Sequence, residues 1–188
     1  MAIRTPQSRI ISFILPLFAV AIVTLAIAQP QPTTKPKELT TSQKQFNKLK
    51  MLIGDWVMLD ENNQPNKEIA SRYSLTAGGS AILEIDFPGS EHEMVTLYHL
   101  DGDDLVLKHY CIMNNQPEMK AVKSANLDKI TFKCTGHGTN MKSENDAHMH
   151  QGEFSIVDKN HVNSTWSMYA EGKVVNTVNF NLVRANSE

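Results

Sequence analysis

The chain is poor in the features that mark most function classes. It holds 2 cysteines in 188 residues, too few for a disulfide scaffold. Lysine and arginine number 18 against 20 acidic residues, a net charge of −2, so no basic field exists to attract nucleic acid or an anionic membrane surface. No Gly-x-Ser-x-Gly elbow, phosphate-cradling glycine loop or His-Glu-x-x-His helix occurs anywhere. One long apolar run is present, Ile10 to Ala28, broken only by Ser12, Pro16 and Thr24. It follows Arg4 and Arg9 and closes on Ala26-Ile27-Ala28.

That run reads as a secretory leader over residues 1–28 with an A-x-A cleavage site. An uncleaved membrane anchor is the alternative, because the run exceeds the usual length of about 7–15 residues. Cleavage would remove two arginines and 28 of the 188 residues, leaving 160 residues of net charge −4. The expected product is exported, periplasmic or secreted, and free of the membrane. Residues 29–42, QPQPTTKPKELTTS, have three prolines and little to bury, which makes them a flexible linker. Residues 43–188 suffice for one domain.

Within that domain Thr41 or Ser42 is placed to cap a helix over Ser42–Ile53. Phe46, Leu49, Leu52 and Ile53 recur at helical spacing, and Phe46, Leu49 and Ile53 are expected to cover a barrel end. The rest alternates apolar with polar residues between Gly, Asn, Asp and Pro clusters. Ten strands are predicted: Trp56–Leu59, Glu68–Thr76, Ser80–Phe87, Glu93–Leu100, Leu105–Met113, Glu118–Ser124, Lys129–Thr135, Ala147–Val157, His161–Ala170 and Lys173–Val183. Short connections make them an antiparallel meander, and a meander of eight to ten strands hides its edges by closing. The fold class is therefore all-β, an up-and-down barrel with one N-terminal helix.

The stretch from Glu91 to Pro117 centres this reading. Asp101-Gly102 between two alternating runs signals a hairpin. A two-residue loop pairs Tyr98 with Leu105, and a four-residue loop pairs it with Leu107. Either register puts Met94, Thr96, Tyr98 and Leu100 on one face with Leu105, Leu107, His109 and Cys111. That face lacks charge, so it is assigned inward. An imidazole and a thiol thus lie among aliphatic side chains.

His148 and His150 share a strand face with Phe154, a second source of imidazoles. The expected ligand-binding set is Tyr98, Leu107, His109, Cys111, His148, His150 and Phe154, for a small, largely apolar molecule bound without catalysis. The alternatives are a zinc-type enzyme coordinated by His109, Cys111, His148 and His150, or a haem-binding barrel. Partly buried polar residues satisfied by neighbours and water would read identically. His109 and Cys111, two apart on one strand, are too far separated for a nucleophile and its base. No other cofactor is expected. Cys111 and Cys134 are expected to be free, mostly buried thiols, because the intervening strand holds their backbones about 9.5 Å apart, beyond the roughly 7 Å a disulfide spans.

The chain also resembles a known group. Gly54-Asp55-Trp56 after the short helix, Tyr73 to Ser80, Phe87-Pro88-Gly89, His92 to Thr96, Tyr98 to Asp103, and His109-Tyr110-Cys111 with Asn115-Gln116-Pro117 are similar to an uncharacterised bacterial family of exported, lipocalin-like barrels. The likeness spans about Phe46 to Val183. It implies the calycin architecture and an interior able to hold a small apolar ligand, and it implies no reaction.

Overall fold

The computed structural model describes residues 37–185; the leader and most of the linker lie outside the described residues. Ten strands form one closed antiparallel barrel: β1 (Gly54–Leu59), β2 (Pro65–Thr76), β3 (Ala81–Asp86), β4 (Met94–Asp101), β5 (Asp104–Tyr110), β6 (Gln116–Ala121), β7 (Lys129–Thr139), β8 (His148–Ile156), β9 (His161–Ala170) and β10 (Lys173–Arg184). Each strand pairs with its sequence neighbours, and β1 closes on β10 through Trp56↔Arg184 and Met58↔Leu182. Closure leaves no sheet edge to aggregate.

The central hairpin takes the Tyr98↔Leu107 register, the one expected with a four-residue loop, but the ladder runs on to Asp101 opposite Asp104 and leaves only Gly102-Asp103 in the turn. Thr96, Tyr98, Leu105, Leu107 and His109 are all buried, so the uncharged face is the inner one. β5 is shorter than expected. It ends at Tyr110, and Cys111 lies in the following turn, where its N–H donates to the Asn115 carbonyl and its carbonyl accepts from Asn114.

One barrel end is plugged by α1 (Thr41–Leu49) and the 3₁₀ turn Lys50–Leu52. The cap is Thr40, one residue before the expected position. Its hydroxyl accepts from Gln43 N–H while the Gln43 side chain accepts from Thr40 N–H, a reciprocal capping box. Phe46, Leu49 and Leu52 enter the core, whereas Ile53, expected to be buried, is 36% exposed. Ser42 Oγ donates to the Asp103 carbonyl and Gln45 Nε2 to that of Val122, which docks the helix on the β4–β5 and β6–β7 turns. Above the plug, Trp56, Tyr98, Leu107, Met119, Ile130, Phe132, Phe154 and Leu182 fill the barrel's closed half, each no more than 2% exposed.

Candidate functional site

Chemistry collects toward the other end, in two places. The first is a polar level inside the barrel where β2, β3, β4 and β5 meet. Register places Tyr73 opposite Glu84, Glu84 opposite Thr96 and Thr96 opposite His109. Both tyrosines that reach this level, Tyr73 and Tyr98, donate their hydroxyls to the Glu84 carboxylate. Ser71 Oγ donates to Asp86 at 2.6 Å. Burial raises Glu84 far above the usual carboxylate range, and the neighbouring Asp86 charge adds to it. Asp86 is pushed up to about 6, again by burial. No cation faces this pair among the described ion pairs.

His109 stands on the same level. Its Nδ1 lies 2.8 Å from Thr96 Oγ1 and its ring stacks on Trp166 at 5.7 Å, yet Nε2 has no partner although the residue is only 2% exposed. Burial lowers its pKa to about 4, so the imidazole is neutral near pH 7. The rings of Tyr98, Phe132, Phe154 and Trp166 meet one another edge-on beneath this level, with centroids 5.6–6.4 Å apart.

The second place is on β7 and β8. In the pairing with β9, Met149 faces Met168 and Gln151 faces Ser167, so His150 is the extra residue of a bulge, a device that re-aims a side chain. On the other flank Lys133 pairs with Gln151, which brings the next residue of β7, Cys134, beside His150. Ligand atoms of Cys134, His148 and His150 all lie within 4.8 Å of one another. They line a recess of about 150 Å³ with Thr135, Gly136, Glu144 and Tyr169. Burial raises the Cys134 thiol, with the Glu144 carboxylate contributing, and burial followed by the His148 charge lowers His150.

The expected site residues therefore divide. Tyr98, Leu107 and Phe154 are core side chains, and His109 belongs to the interior level. His148 and His150 do come together, 3.1 Å from Nε2 to Nδ1. The correction concerns their expected companions: the donor group contains Cys134, and neither His109 nor Cys111 is in it. Cys111 is lost to the turn that ends β5. Both cysteines are free and half-buried. Sequence reasoning passed over Glu84 and Asp86, whose strand carries apolar residues on both faces, Ile82 on one and Leu83 with Ile85 on the other. It faced Cys134 inward correctly but lacked the β7–β8 register. A larger groove, about 1210 Å³ between the β1–β2 hairpin and the end of β10, lies away from both places.

Comparison with protein-family models and with curated proteins finds no match for the chain. The ten-stranded antiparallel barrel is consistent with a lipocalin-like fold.

Proposed function

We propose that the protein belongs to the exported lipocalin-like barrels it resembles, and that it works as a non-catalytic binder of a small, largely apolar molecule bearing a hydrogen-bonding head group. The reading places the mature chain in the periplasm or outside the cell, after loss of the leader. The observation that carries it is the unpartnered Nε2 of His109. A buried polar nitrogen without a partner costs about 1–3 kcal/mol, which a bound head group would recover. Two carboxyls and two phenols on the same level can donate or accept further bonds. Because the side chains below are packed, the ligand lies above Tyr98, Leu107 and Phe154 and is small.

Trp166, stacked on His109, is the reporter. In a Trp56→Phe background, which leaves Trp166 as the sole indole, titration with a fatty acid, an aromatic amine and an indole tests the reading. Saturable quenching by one of them, abolished by His109→Phe, is expected. No saturable response, together with the bare chain mass in native mass spectrometry of protein taken directly from its host, would refute it.

A further inference from the structure

We infer that Cys134, His148 and His150 form a binding site for a tetrahedral divalent metal of the zinc class, separate from the interior level. The inference does not rest on the lumenal binding reading.

Three points of geometry carry it. Two imidazole nitrogens bound at 2.0–2.1 Å to a tetrahedral ion stand about 3.3–3.4 Å apart. His148 Nε2 and His150 Nδ1 are already 3.1 Å apart, so an ion could be seated on both with small adjustment. Secondly, His148 Nδ1 lies 2.7 Å from the Asp146 carbonyl, which can only accept. The ring therefore carries its proton on Nδ1 and turns the Nε2 lone pair toward Cys134 and His150, the outer-shell arrangement that orients metal-bound histidines. Thirdly, the ligands are held. His148 is 1% exposed, and His150 stacks on Tyr169 with centroids 4.5 Å apart and planes 21° from parallel.

Nitrogen, nitrogen and sulfur donors suit zinc and its neighbours rather than calcium or magnesium, which take oxygen. The fourth position faces the recess, where the Glu144 carboxylate passes over Gly136. A β-carbon there would lie 2.3 Å from Glu144 Oε1, so only glycine lets that side chain approach. The recess also gives the ion a route in from solvent. Binding releases the Cys134 thiol proton to solvent and moves the His150 proton from Nδ1 to Nε2. The Cys134 thiolate then offsets one of the ion's two charges.

The test uses the full chain, stripped with chelator and desalted, then titrated with zinc by calorimetry and with cobalt by absorption spectroscopy. One zinc per chain is expected, bound at micromolar or tighter affinity, with a cobalt spectrum of tetrahedral type that includes thiolate charge transfer. Cys134→Ser is expected to lose the charge-transfer band and weaken zinc binding by more than about 100-fold, and His150→Ala by at least about 10-fold. Cys111→Ser is expected to bind as the unaltered chain does. Circular dichroism confirms that each variant is folded, and His150 is chosen over the fully buried His148 for that reason. Absence of stoichiometric zinc binding, or binding that survives both Cys134→Ser and His150→Ala, would overturn the site.

Discussion

The indole of Trp166 occupies the space that a side chain at position 152 would need: a β-carbon on Gly152 would lie 2.6 Å from Cζ3 and 2.9 Å from Cε3 and Cη2. The ring cannot easily yield, because Phe154 meets it edge-on and His109 stacks on it. Gly152→Ala is expected to destabilise the barrel by about 1–3 kcal/mol through overpacking, outweighing any gain from reduced unfolded-chain freedom. The urea midpoint measures this. A smaller penalty for the same change in a Trp166→Phe background would trace the cost to that contact.

The helix plug gives a second contrast. Leu52 is 1% exposed in the core cluster, and its carbonyl accepts from Trp56 Nε1 at 2.6 Å. Ile53, next in sequence, is 36% exposed. Leu52→Ala is expected to cost about 2–5 kcal/mol, and Ile53→Ala to stay within about 0.5 kcal/mol. Thermal denaturation of the two variants side by side distinguishes them, and equal losses would contradict this packing.

That contrast shows where the sequence was readable. Phe46, Leu49, Leu52 and Ile53 all recur at helical spacing, and of the last two Ile53 is the one expected to be buried. The last turn instead winds as a 3₁₀ helix with about three residues per turn, so Leu52 falls above Leu49. Strand number, order and the inner face of β4 and β5 were legible because alternation and short turns are local signals. Cys134 beside His150 was not, because that proximity depends on a register between β7 and β8 and on a bulge at His150, neither of which alternation specifies. The buried acids were hidden by a strand whose two faces are both apolar.

Arg184 ties the barrel seam to the plug. Its guanidinium donates to the carbonyls of Met51 and Ile53, each at 2.8 Å, and to Lys159 at 3.0 and 3.1 Å, and it lies 4.5 Å from the Trp56 ring centroid. Arg184→Ala is expected to cost about 1–2 kcal/mol, since these bonds are partly solvent-exposed. Arg184→Lys is expected to recover less than half, because an ammonium cannot present a planar fork to three carbonyls. Chemical denaturation of both variants checks the order.

The interior level makes stability depend on pH in two opposed ways. Asp86 holds its proton up to about 6 in the fold against an ordinary value of 3.8, so between those values the folded chain binds more protons than the unfolded one. Stability from this source grows as pH falls through 6 and is lost as pH rises, by roughly 3 kcal/mol. Glu84, raised in the same sense, adds to that slope. His109 behaves oppositely: its value falls from 6.5 to about 4, so stability present above 6.5 is lost as pH drops toward 4, again by roughly 3 kcal/mol. The two carboxyls together outweigh the imidazole, and the unaltered chain is expected to gain stability as pH falls from 6 to 4. Asp86→Asn is expected to flatten that gain, because Glu84 alone is left against His109, and His109→Gln to steepen it. Denaturant midpoints at four pH values resolve the slopes, and equal slopes of one sign in both variants would show that Asp86 and His109 do not titrate in opposition.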